Sequence, residues 1–103
     1  MFFRIFLVLV LFCFASATFA EGDAAAGRIK AETCLGCHAV TGYYNVYPTY
    51  HVPKLGGQSA GYIESALKAY RSGTRIHGSM QANASDLSDE DIADIAVFMA
   101  SIK

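Results

Sequence analysis

Cys34-Leu35-Gly36-Cys37-His38 places two thiols three positions apart, with an imidazole directly after the second. This C-x-x-C-H pattern is the attachment signature of a c-type haem. Each thiol can form a thioether with one of the two vinyl groups, and the residue that follows then offers its imidazole to the iron from the same side. The thioethers hold the porphyrin against loss, and His38 supplies a proximal nitrogen ligand. Three other chemistries use parts of the pattern. A thioredoxin-like redox pair wants a βαβ setting, and strand signals are nearly absent. A zinc site wants about four ligands, and Cys34, Cys37, His38 with His51 or His77 lack a recognisable second half. A plain disulfide between Cys34 and Cys37 closes too small a loop to add much stability.

A haem iron bound by His38 needs a sixth ligand or an open position. Met80 lies 42 residues after His38, before the last helix, where it can approach from the opposite face. Its ordinary alternative is a gap-filling core Met. Met99 fits that role better, on the apolar stripe of the last helix, and His77 and His51 are rival ligands. His38–Met80 ligation would raise the reduction potential and leave no position for substrate, which suits electron transfer rather than catalysis at the iron.

The rest of the chain has to position these groups. At 103 residues there is room for one domain. Residues 1–20 read as a cleaved secretory signal peptide: a short basic start at Arg4, an unbroken apolar run from Ile5 to Phe14, and small residues ending at Ala20. The alternative is an uncleaved anchor, although the run is too short to span a bilayer. Phe12 before Cys13 argues against lipidation. Residues 21–103 then form the functional domain, with two cysteines left. Of eight Lys and Arg residues one, Arg4, falls in the leader, so seven basic residues face nine acidic ones beyond it. That balance gives no electrostatic case for nucleic acid. A chain this short buries a small core and usually needs a staple, for which a cofactor is the best candidate.

Three helical segments stand out. Asp23 can cap a helix over about residues 24–33, opened by three alanines. Residues 39–58 are rich in Gly, Pro, Tyr, Asn and Thr, and Pro48 and Pro53 exclude a continuous helix there. So long a loop in a small domain implies that it wraps something. Ser59 caps a second helix over about residues 60–72, with Tyr62, Ile63, Ala66, Leu67 and Tyr70 on one face and Gly73 to end it. Residues 74–87 read as irregular. Ser88 and Asp91 form a capping box for the last helix, whose Ile92, Ile95, Ala96, Met99 and Ile102 make one apolar stripe. The fold class is all-α, with long loops wrapped around a cofactor.

With those residues in hand, the sequence resembles the class I cytochrome c family, and in particular the single-haem halves of bacterial two-haem periplasmic cytochromes. Besides Cys34 to His38, the resemblance rests on Pro53-Lys54-Leu55-Gly56-Gly57-Gln58, Tyr62 through Arg75, His77 to Met80, and Leu87 to Ile92. It implies three main helices and long loops around one covalent haem c, with the first and last helices crossing at Gly27 beside Phe98. It implies that the Pro53 carbonyl accepts the Nδ1–H of His38. It also implies that Gln58, Tyr62, Arg71 and Arg75 lie near the haem propionates or line the pocket; an ordinary solvated charge or core aromatic is the competing assignment for each. The segment Tyr43 to His51 departs from many relatives in being longer and more aromatic.

The function these readings imply is a periplasmic carrier of single electrons between protein donors and acceptors such as a membrane oxidase, a reductase complex or a periplasmic dehydrogenase. Two others compete: a haem subunit of a larger dehydrogenase, for example a flavin-containing sulfide dehydrogenase, and a ligand-binding or peroxidatic haem protein with a labile sixth site. The acidic residues Asp86, Asp89, Glu90, Asp91 and Asp94 read as helix-capping charge and a solvated face ahead of a docking patch.

Overall fold

The computed structural model describes residues 22–39, 42–46 and 49–102. The leader expected over residues 1–20 lies outside them, as do Tyr47 and Pro48 of the aromatic loop. Among the described residues there are five helices: α1 (Ala24–Lys30), α2 (Glu32–His38), α3 (Ala60–Ser72), α4 (Gly78–Ala84) and α5 (Asp89–Ser101). A short antiparallel hairpin, β1 (Tyr44–Asn45) with β2 (Tyr50–His51), sits between α2 and α3. No helix among these residues is long and apolar enough to cross a membrane.

The cap of α1 forms as its sequence dictates. The Asp23 carboxylate accepts from the backbone N–H groups of Ala25 and Ala26 at 2.9 and 3.4 Å. The helix bends at Ala31, which still donates to the Gly27 carbonyl at 2.8 Å, and then continues as α2. The first helical stretch therefore reaches His38 rather than ending near Thr33, and the thiols lie inside a helix.

α3 matches the expected bounds. Gly73 closes it with φ 83°, a left-handed conformation that costs glycine little. In α5 both halves of the capping box are present: the Ser88 hydroxyl accepts from Asp91 N–H and the Asp91 carboxylate from Ser88 N–H, each at 3.0 Å. The expected irregular stretch from Thr74 to Leu87 contains α4, which has no side-chain cap and little apolar periodicity. Tertiary packing, with Ala84 fully buried, holds this helix where propensity gave no signal.

α1, α3 and α5 are the main helices of the fold. Ala31, Ile63, Leu67, Ile92, Ile95, Ala96 and Met99 meet in one core. Ile92 and Met99 are the largest fully buried side chains, each contributing about 1.5–3 kcal/mol by leaving water. Ile102, the last residue of the expected stripe, is instead the C-cap of α5 and only partly buried. α1 meets α5 at Gly27, where an added Cβ would run into the Asp94 carbonyl and lie 2.9 Å from the Phe98 Cβ.

The charges at this junction are structural. Lys30 Nζ lies 2.6 Å from Asp94 and 2.9 Å from Asp91. Asp94 is buried, and its other oxygen accepts the Asp23 N–H at 2.7 Å. The Lys30 contact, then the Asp23 N–H, hold the Asp94 carboxyl below the usual carboxylate range. Asp91 is lowered to about 2, first by the Ser88 N–H and then by Lys30. Lys30 is raised by the same partners, Asp94 first. Asp94 is therefore not part of a solvated face, and the acidic cluster is partly consumed inside the fold.

Candidate haem site

In α2 the 3.6-residue repeat puts Thr33, Cys34, Cys37 and His38 on one helix face, and all four line a single cleft. The cleft holds a cavity of about 180 Å³ that opens to solvent, and its walls are mostly apolar, as suits a largely hydrophobic ligand. Cys34 is half-buried and Cys37 exposed, and the two are not bridged. Burial pushes the Cys34 thiol above its ordinary value. His38 is buried at 8 % exposure, and its Nδ1 lies 2.6 Å from the Pro53 carbonyl. Donation from Nδ1 to that carbonyl leaves Nε2 as the free lone pair and makes it more basic. The Leu55 N–H donates to the His38 carbonyl at 3.4 Å, tying the same loop to the end of α2.

The other walls come from the loop and from α3, α4 and α5. Tyr50 and Val52 face the cleft one period apart along the extended segment. Between them His51 points away and packs at a tilt against Tyr44, with ring centroids 5.1 Å apart and planes 60° apart, so it is not at the cleft. Ile63, Leu67 and Tyr70 supply the α3 wall, with Tyr62 at 47 % exposure on the rim. Met80 lines the cleft from α4, partly buried, and so does His77. Met99 lines it from α5 while also belonging to the core, so its side chain serves both.

Of the residues singled out in the sequence, Cys34, Cys37, His38, Pro53, Tyr62, Arg75 and Met80 are brought together here. Gln58 and Arg71 are not. Gln58 is exposed, and its side-chain oxygen accepts the Ser59 N–H at 3.0 Å beside the start of α3. Arg71 donates to the Leu87 carbonyl at 3.0 Å and to Asp89 at 2.6 Å, so its guanidinium clamps α3 to the entry of α5. Helical geometry explains the difference: Arg71 follows Tyr70 by one residue and therefore projects about 100° away from the cleft face. Arg75 donates to the Tyr62 hydroxyl at 3.2 Å and lies 4.8 Å from the Tyr70 ring centroid, forming a cationic corner at the rim. Tyr50, Val52 and Tyr70 join the cleft beyond the residues that the motif and the family resemblance mark. The alternation Tyr50-His51-Val52 was the available signal, obscured by prolines on either side.

A pair of thiols, an imidazole pinned by a carbonyl and a thioether around one apolar cleft define a helical haem-binding protein. Among the described residues no three His, Cys, Asp or Glu side chains come together to hold a bare metal ion. The chain belongs to the cytochrome c family, whose model matches residues 24–103. It is 52% identical over 83 residues to cytochrome c-554(548) of Halomonas halodenitrificans, covering 78% of this chain and 96% of that protein. It is 40% identical over 84 residues to cytochrome c4 of Pseudomonas aeruginosa, covering 82% of this chain but 40% of that longer one. The crystal structure of reduced recombinant cytochrome c4 from Pseudomonas stutzeri superposes with a TM-score of 0.58 at 25% identity, over 84% of this chain and 53% of that one. The protein is accordingly an electron carrier that binds haem c covalently.

Proposed function

We propose that the chain is a periplasmic shuttle for single electrons, its one haem tethered through Cys34 and Cys37 and ligated by His38 and Met80. The observation that carries this reading is the common cleft: both thiols and the imidazole of α2 and the thioether of α4 line it together, with His38 fixed by Pro53. Bound there, haem c supplies a ferric/ferrous couple that exchanges one electron.

The chain's own residues set the terms of that exchange. Pro53 holds the His38 ring in one tautomer and orientation. Met80 contributes a soft thioether that favours the ferrous form and so raises the potential. His38 and Met80 would together hold the iron and leave no place on it for a substrate, which supports a carrier over a catalyst. Val52, Ile63, Leu67 and Met99 give the cleft an apolar, water-poor wall. Arg75, anchored on Tyr62 and Tyr70, places its positive charge at the rim, suited to the haem carboxylates. The leader at residues 1–20 supports export, and the open mouth of the cleft suits brief encounters of small area with donor and acceptor proteins.

Protein-film voltammetry and stopped-flow mixing with a redox mediator test this reading. Reversible one-electron waves and fast oxidation and reduction are expected. Sluggish exchange, turnover of peroxide at the iron, or purification from native extract as a fixed complex with a flavoprotein would contradict the free-carrier assignment.

A further inference from the structure

One residue of the cleft wall carries a buried polar atom without a partner. Among the described residues, the buried side-chain nitrogen or oxygen left without a hydrogen bond is Nδ1 of His77. The residue is well fixed. Its backbone N–H donates to the Gln81 side-chain oxygen at 3.0 Å. Its ring takes the Tyr50 ring edge-on, at 4.6 Å between centroids and 88° between planes. Tyr50 is itself held by a 2.8 Å hydrogen bond between its hydroxyl and that of Ser79. The ring therefore cannot turn outward without giving up its Tyr50 contact from β2, yet leaving a buried nitrogen unpaired costs about 1–3 kcal/mol. Built this way, the site anticipates a partner that enters the cleft.

A porphyrin brings only two kinds of polar group: its two carboxylates and the axial positions of its iron. The axial positions go to His38 and Met80 under the function proposed above, on which this step rests. We infer that His77, through Nδ1–H, donates a hydrogen bond to a haem carboxylate and acts as a positioning residue. It completes, from the α4 side, the reception of the carboxylate edge that Arg75 begins at the rim. The bond partly neutralises a negative charge next to the iron, so it favours the ferrous state. It also links the haem edge to the start of the same short helix that carries Met80.

Substitution of His77 in the holoprotein tests this, because Asn and Gln separate the two ring nitrogens. The amide nitrogen of Asn reaches the position of Nδ1, whereas that of Gln reaches the position of Nε2. Each variant is first checked for one covalent haem by pyridine haemochrome, which separates this inference from the haem assignment itself. His77→Asn should keep the wild-type potential. His77→Gln and His77→Phe should shift the ferrous/ferric equilibrium toward ferric by about three- to tenfold, or about 30–60 mV downward, as expected for one hydrogen bond and a one-electron couple. All three should retain the sulfur-to-iron charge-transfer band of the ferric protein. In the wild type, ¹⁵N-edited NMR should show a slowly exchanging ring N–H at His77 Nδ1, a readout that does not depend on any variant folding. Unchanged potentials in Gln and Phe would overturn the inference, as would loss of the charge-transfer band or a fast-exchanging or absent Nδ1–H. A bis-imidazole spectrum in Met80→Ala that vanishes in the Met80→Ala, His77→Phe double variant would reassign His77 to the iron.

Discussion

Replacing Gly27 by Ala tests the packing that holds the two ends of the domain together. An alanine inside a helix normally gains about 1 kcal/mol over glycine. At Gly27 the new methyl would collide with the Asp94 carbonyl and approach the Phe98 Cβ at 2.9 Å. The obstacle is backbone, so no side-chain rotation relieves it, and α1 must back away from α5. That movement would strain the 2.6 Å Lys30–Asp94 and 2.7 Å Asp23–Asp94 contacts, which cross the same junction. Overpacking usually costs about 1–3 kcal/mol and more where the neighbour cannot yield. After the propensity gain, a net loss of about 2 kcal/mol is expected, a fall in Tm of about 8–16 °C for a domain of this size. Gly61→Ala is the control: it lies in α3 with nothing within 4 Å of an added Cβ, and it should gain up to about 1 kcal/mol. Thermal unfolding of both ferric proteins, followed by far-UV circular dichroism, measures the pair. A Gly27→Ala variant as stable as wild type would refute the close-approach account, particularly if Gly61→Ala gained as expected.

Met80→Ala should abolish the ferric charge-transfer band, admit exogenous imidazole or azide, and lower the potential by a sizeable part of the roughly 0.8 V that axial ligands span; visible spectra and potentiometry read both. Arg71→Ala should lower Tm through loss of its Leu87 and Asp89 contacts, by about 1 kcal/mol for the Leu87 bond, while leaving the potential unchanged, since its guanidinium is outside the cleft. Ser88→Ala should cost about 1 kcal/mol, or 4–8 °C in Tm, by removing half of the α5 capping box. Asp91 is depressed to about 2 from 3.8, so its contribution is complete above about pH 5 and lost as the pH falls through about 2. Lys30→Met should raise the midpoint of acid unfolding and reduce the proton uptake that accompanies it, measured by fluorescence-monitored titration.

Much of the fold was legible in the sequence because its signals are local. The Asp23, Ser59 and Ser88 caps, the Gly73 stop and the apolar stripes of α3 and α5 each depend on neighbours within a turn or two. What escaped depends on tertiary context. α4 has no side-chain cap and little periodicity, and it forms because Ala84 is buried and Met80 packs on the core. The hairpin pairing of Tyr44 with His51 has two residues per strand, and the prolines on either side of β2 obscure its alternation. At the site, Cys34, Cys37, His38 and Pro53 were marked by covalent spacing or by the family pattern. Arg71 and Gln58 were carried by pattern alone, and each is held by a nearby partner that the pattern does not encode. His51 and His77 were indistinguishable as residue types, and only the fold separates the exposed ring from the one in the cleft.

Peptide mapping of the mature, purified protein tests the central claim most directly. After unfolding, alkylation and proteolysis, the peptide containing Cys34 and Cys37 should carry the mass of one haem, with neither sulfur alkylated. Recovery of that peptide with both cysteines alkylated and no added porphyrin mass would contradict the account.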